Sequence, residues 1–212
     1  MAYLRIIGDV HGLYNEYIDL AKEAEYSIQL GDLGFDYQLV DKFLNPSFHR
    51  ILGGNHDNYT EENGIFVMQP KHFLGDYGTY TVPKIGQFFY VRGGYSIDKA
   101  YRRENVDWWP AEQLSYTLAL QALESYKKTR PRLMLTHECP STILDVVAEK
   151  KMWDGALIRP SMTANLLASM LEVSQPSLWI FGHHHRYFDR MIGGTRFICL
   201  PELGYIDFEG SL

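Results

Sequence analysis

YLRIIGDVHG, residues 3–12, is a short apolar run stopped by Gly8 and Asp9. It reads as a buried strand that delivers Asp9 and His11 to a loop. The same phrase returns twice downstream. YSIQLGD (26–32) ends on Gly31-Asp32, and HRILGGNHD (49–57) ends on Asn55-His56-Asp57. Between them, LYNEYIDLAKEAE (13–25) sets Leu13, Tyr17 and Leu20 at helical spacing with charges between. FDYQLVDKFL (35–44) also reads as a helix. Strands alternating with helices mean an α/β fold whose sheet faces are covered by helices.

Further along, the pattern changes. TYTVP (79–83) and GQFFYVRGG (86–94) read as strands with no helix between them, so the sheet there is antiparallel or mixed. WWPAEQLSYTLALQALESYKK (108–128) is the clearest helix, with Pro110 in its first turn, where a missing N–H is no loss. RLMLTHE (132–138), SLWIFGHHH (177–185) and TRFICLPE (195–202) are three more apolar runs, separated by helices in PSTILDVVAEK (140–150) and PSMTANLLASMLEV (160–173).

The 212 residues are 46% hydrophobic and 22% charged, enough for one sizeable core and one domain over residues 1–212. The formal net charge of −6 argues against a general nucleic-acid binder. It leaves a nuclease open, because bound cations offset local negative charge. Two cysteines are too few for a disulfide scaffold, and no leader is evident, so a cytoplasmic location is expected. No run reaches the roughly 18 apolar residues that a membrane span needs.

Every unusual polar cluster follows an apolar run. GDVHG, GDLG, GGNHD, THE and GHHH together offer Asp9, His11, Asp32, Asn55, His56, Asp57, His137, His183 and His185. In α/β folds the carboxyl ends of strands collect in one crevice. Oxygen and imidazole donors there suit manganese, iron or zinc. Asp9 and His11 are two apart, as are His183 and His185, so in extended backbone each pair aims at one point. His184 then lines the pocket or faces solvent. The glycines of these blocks fit tight turns and close backbone approach.

This series resembles the calcineurin-like metallophosphoesterase superfamily: Asp-x-His, Gly-Asp, Gly-Asn-His-Asp, a lone His after a strand, then Gly-His-x-His, all five in order over residues 8–185. GGYSIDKAYRRENVDWWPAEQLS (93–115) is similar to a stretch in small bacterial and phage metallophosphatases. The resemblance implies a four-layer α/β/β/α sandwich with mixed sheets and a metal centre at strand C-terminal ends. It implies two divalent ions, manganese first, with iron, zinc, nickel or cobalt as alternatives. By position, Asp9, His11 and His185 hold one ion, Asn55, His137 and His183 the other, and Asp32 bridges them. His56 becomes the acid and Asp57 its orienting partner. The second block, GDLGFD, lacks the Asp-Arg-Gly of the protein-phosphatase branch and with it a phosphate-gripping arginine.

The implied reaction is hydrolysis of phosphomonoesters or phosphodiesters by hydroxide generated between two ions. A phosphorylated small molecule, a nucleotide or an oligonucleotide end is the expected substrate. Tyr95, Lys99, Arg102 and Arg103 are candidates to grip it, a solvated loop being the plain alternative. Trp108 and Trp109 are expected to anchor the long helix in the core, His49 and His72 to lie at the surface or core edge, and Cys139 and Cys199 to be buried. Arg186 either reaches the pocket or faces solvent. A non-catalytic metal-binding scaffold is the alternative function, and a single structural ion a third.

Overall fold

The computed structural model describes residues 2–62, 65–66, 71–148 and 160–210. Two sheets face each other. The first has strand order β12-β1-β2-β3, with β1 Ala2–Ile7, β2 Ala24–Gln29, β3 His49–Ile51 and β12 Tyr205–Phe208. The second runs β10-β11-β9-β8-β7-β6, with β6 Tyr77–Val82, β7 Gly86–Val91, β8 Leu133–Thr136, β9 Leu178–Phe181, β10 Phe188–Ile192 and β11 Thr195–Cys199. A two-residue ladder, β4 Glu61–Glu62 with β5 Ile65–Phe66, stands apart.

Period-two alternation along these strands builds the layers. Leu4 and Ile6 point between the sheets, where they meet Phe88, Leu135, Ile180 and Ile198. Ile7 points outward, under α1 (Tyr14–Lys22) and α2 (Tyr37–Phe43), into a cluster with Tyr17, Ile18 and Val40. On the far side Phe89, Met134, Trp179 and Phe181 pack against Tyr126 of α3 (Tyr116–Thr129) and Leu167 and Met170 of α5 (Met162–Val173). The result is helix, sheet, sheet, helix. Within each sheet the core strands are parallel, β1-β2-β3 and β7-β8-β9-β11.

The structure departs from the sequence reading in four places. The long helix begins at Tyr116, not at Trp108. Ser115 caps it by accepting the Leu118 N–H at 3.3 Å. Pro110–Glu112 form a separate 3-10 turn whose Glu112 carboxylate is held by Ser96. Trp109 is buried, but in the α1/α2 cluster rather than beside α3, and its indole N–H donates to Thr60 Oγ1 at 2.9 Å. Besides the short β4–β5 ladder, two strands went unread: β10 and β12 are antiparallel edges, paired to β11 and β1. Their polar, half-exposed faces carry too little apolar alternation to announce them. Of the helix expected at 140–150, α4 (Leu144–Val147) forms after a 3-10 turn at Ser141–Ile143, and residues 149 and 150 lie outside the described residues.

Candidate active site

The parallel strands β1, β2 and β3 of one sheet, and β8 and β9 of the other, release Asp9, Asp32, Asn55, His137 and His183 at one edge. Two groups of ligand-type atoms form there, each within 4.8 Å of one another. One joins Asp9, His11, Asp32 and His185; the second joins Asp32, His137 and His183. Asp32 belongs to both. Asn55 closes the second group, its Oδ1 3.0 Å from His137 Nε2.

The approach is close. His11 Nε2 and His185 Nε2 are 3.0 Å apart, and His185 Nε2 is 3.3 Å from Asp9 Oδ2. His137 Nε2 is 3.3 Å from Asp32 Oδ1. Asp9 and Asp32 are buried. Asp32 Oδ2 is buried and has no hydrogen-bond partner among the described residues. An orphaned buried carboxylate oxygen amid converging imidazole nitrogens fits a pair of divalent cations, whose charge would offset the burial.

Backbone geometry differs from the extended segments expected. His11, Asp32, His183 and His185 have φ of 48°, 58°, 66° and 49°, the left-handed region. Consequently His183 and His185 do not share one aim: they join different groups. His184 neither lines the cleft nor faces solvent. It turns inward, its Nε2 3.0 Å from Glu138 Oε1 and 3.3 Å from Cys139 Sγ. Gly54 and Gly182 have no room for a side chain. A Cβ at either would stand 2.1 or 2.2 Å from an Asp32 or Asp9 carboxylate oxygen.

Neighbours orient the donors. His137 Nδ1 donates to the Leu30 carbonyl at 2.9 Å, which frees Nε2 for the cluster. Asn55 Nδ2 donates to Ser96 Oγ at 3.1 Å, and Ser96 Oγ donates to Glu112 at 2.6 Å, which turns the Asn55 oxygen toward His137. Glu138 Oε2 takes the Nε2 side of His183 at 3.2 Å. Sequence reasoning missed Glu138, Ser96 and Glu112. Glu138 left one signal, an acid beside a strand-end histidine. Ser96 and Glu112 left none, because chain separation hides the contact.

Electrostatics follow the same contacts. Burial disfavours the Asp32 carboxylate, yet His137, His56 and His11 outweigh it and hold it well below the ordinary range. Burial likewise disfavours the His137 imidazolium, and Asp32 and Asp9 overcome it and raise its value. Burial works against ionised Glu138 as well, and His183 and His184 keep its carboxyl low.

His56 needs a correction. Its backbone N–H donates to Asp32 Oδ1 at 2.7 Å, and its ring sits 5.0 Å from that of His11. No hydrogen bond joins it to Asp57 among the described residues. Asp57 instead accepts the backbone N–H groups of Asp32, Leu33 and Gly54 at 2.9, 3.0 and 2.7 Å, bracing two loops. Arg102 is the partner of the His56 ring, with Nη2 2.9 Å from both nitrogens. Burial pushes the His56 imidazole down to about 4; Arg102 and His11 add to the effect and Asp32 opposes it.

Of the four expected substrate contacts, Arg102 alone reaches the cluster, steadied by Asp98 at 2.7 Å. Arg103 is exposed and paired with Asp107. Lys99 lies over the rings of Tyr95 and Trp108, at 5.0 and 5.7 Å from their centroids. Arg186 donates to the Val147 carbonyl at 2.7 Å. His49 and His72, expected at the surface or core edge, are buried: His49 Nδ1 is 3.0 Å from Ser27 Oγ, and His72 Nδ1 is 2.9 Å from the His49 carbonyl. Cys139 and Cys199 are buried and free, as expected.

A four-layer sandwich with two carboxylate–imidazole groups sharing one aspartate at its strand ends defines a class of metal-binding α/β protein. The chain belongs to the calcineurin-like phosphoesterase family, which it matches over residues 4–187. That family acts on phosphoesters and uses divalent metals. Solved structures agree on the fold. The protein TT1561 of Thermus thermophilus superposes with a TM-score of 0.53 at 12% identity, over 96% of this chain and 91% of that one. A Staphylococcus aureus protein named as a 5′-nucleotidase, solved with α-ketoglutarate, gives 0.51 at 15% identity over 95% of this chain. This chain spans 48% of that protein's length. No curated protein matches. Among the described residues no helix is long and apolar enough to cross a membrane.

Proposed function

We propose that this protein is a metal-dependent phosphoesterase that cleaves phosphomonoester or phosphodiester bonds in a cytoplasmic small molecule, nucleotide or oligonucleotide end. One observation carries the reading: Asp32 belongs to both ligand groups, which is how one carboxylate keeps two cations close. Asp9, His11 and His185 would hold one ion and Asn55, His137 and His183 the other, with manganese the first choice. Bound there, such ions supply Lewis acidity and lower the pKa of a coordinated water toward neutrality.

The chain's own groups do the rest. Asp32 and Asp9 set a negative, buried floor that concentrates cations. His56 stands at the mouth of the first group, where a neutral imidazole can offer one N–H to the departing oxygen. Arg102, already beside His56, supplies a planar cation for a phosphoryl oxygen, in the role left open by the missing Asp-Arg-Gly element. Asp57 acts through the loops that carry Asp32 and Gly54. All expected ligands and His56 are retained, which favours an enzyme over a scaffold.

The test is hydrolysis of p-nitrophenyl phosphate and its bis ester with Mn²⁺, repeated after chelation. Activity should vanish with the metal and return when it is restored. Activity that survives complete metal removal rejects the reading.

A further inference from the structure

We propose that the cavity beside His11 and His56 seats the organic group of the ester and selects a nucleoside monophosphate. The inference rests on the phosphoesterase reading and deepens it.

The cavity has a volume of about 650 Å³, within the 300–1,000 Å³ typical of small-molecule sites. His11 and His56 line it together with Tyr14, Phe35, Asp36 and Gln38. Phe35 is 50% exposed, although large and apolar. It is not a loose side chain. Its ring stands edge-on to Trp109, with centroids 5.6 Å apart at 72°, and Trp109 is buried and anchored through Thr60. The Asp36 N–H donates to Tyr14 Oη at 2.8 Å, tying two of the lining residues together. A fixed, half-open aromatic ring offers a stacking surface for a planar group.

The polar groups narrow the ligand. Gln38 is exposed and brings one donor and one acceptor edge; Asp36 brings a carboxylate. None of the described residues lining the cavity is Lys or Arg. Arg102 touches His56 but does not itself line the cavity, so it serves the one scissile phosphate, while extra phosphates would meet Asp36. A neutral ring bearing N–H and hydroxyl donors matches all three features. Hydrolysis then forms a P–O bond to the water oxygen, breaks the P–O bond to the nucleoside oxygen, and leaves a proton on the nucleoside hydroxyl. Inorganic phosphate and nucleoside are the products. Stacking accepts any base, so purine and pyrimidine nucleotides should both serve.

The test compares adenosine monophosphate with glycerol phosphate on the full chain with Mn²⁺. Adenosine binding to the metal-free chain is measured by calorimetry. Wild type should favour the nucleotide in kcat/KM. Phe35→Ala should cut the nucleotide-to-glycerol phosphate ratio about tenfold, and Phe35→Tyr should retain it. Adenosine should bind wild type and not Phe35→Ala. Equal use of both esters by wild type, or an unchanged ratio in Phe35→Ala, overturns the inference. If neither monoester is cleaved, the nucleoside monophosphate inference falls, while the phosphoesterase reading stands or falls on the p-nitrophenyl phosphate and bis ester test.

Discussion

The backbone N–H of His56 donates to Asp32 Oδ1 at 2.7 Å, so the loop that presents His56 is tied to the carboxylate that both ligand groups share. A change at Asp32 must therefore disturb both ion positions and the loop that presents His56. Asp32→Asn should lower bound manganese from two per chain to one or none, read by elemental analysis after gel filtration. The rate should fall on the order of 10³-fold, equivalent to several kcal/mol. Two ions retained at full affinity would refute the bridging role.

His56 and Asp57 should separate cleanly. His56→Ala should lower kcat by about 10²–10⁴-fold while leaving the metal content and melting temperature near wild type. Asp57→Ala should do the opposite first. It strands the N–H groups of Asp32, Leu33 and Gly54, at a cost of about 3–5 kcal/mol in stability. Thermal melts in chelator distinguish the two. A destabilised His56→Ala beside an unaffected Asp57→Ala would reverse the assignment.

Glu138 holds the Nε2 side of His183 at 3.2 Å and also meets His184. Second-neighbour carboxylates of this kind tune ligand basicity and ring orientation. Glu138→Gln should weaken the second manganese by about 10–100-fold in calorimetric titration, with the first little changed. An unaltered second affinity would make Glu138 a packing residue.

His49 supplies a pH test far from the ligands. Burial pushes its imidazole down to about 4, with His72 and Lys22 adding to the effect. An unfolded chain takes up that proton near pH 6.5. Between pH 6.5 and 4 the unfolded state therefore binds more protons. Stability is full above this window, falls as pH drops through it, and levels off below it. The slope from this group is at most about 1.4 kcal/mol per pH unit. His72 is shifted the same way, with Asp41 opposing. Urea unfolding of metal-free His49→Asn should show a shallower decline than wild type over this window. Parallel curves would dismiss the effect.

The order of apolar runs, each stopped by Gly-Asp, Gly-Asn-His-Asp or Gly-His-x-His, determined an α/β fold and the pool of candidate ligands at its strand ends. The four-layer sandwich and the division of those ligands into two groups were implied by the family resemblance that these blocks carry. Side-chain alternation and strand-end placement are local properties, and a sequence carries local properties openly. Tertiary structure alone decided who touches whom across the chain. It gave Arg102 rather than Asp57 to His56, and Glu138 to His183 and His184. It also placed Phe35 on the wall of the cavity. Left-handed backbone at His183 and His185 split two neighbours between two groups, against the extended spacing that would have paired them. Such contacts depend on turns and on packing between distant segments, whose geometry no short-range pattern encodes.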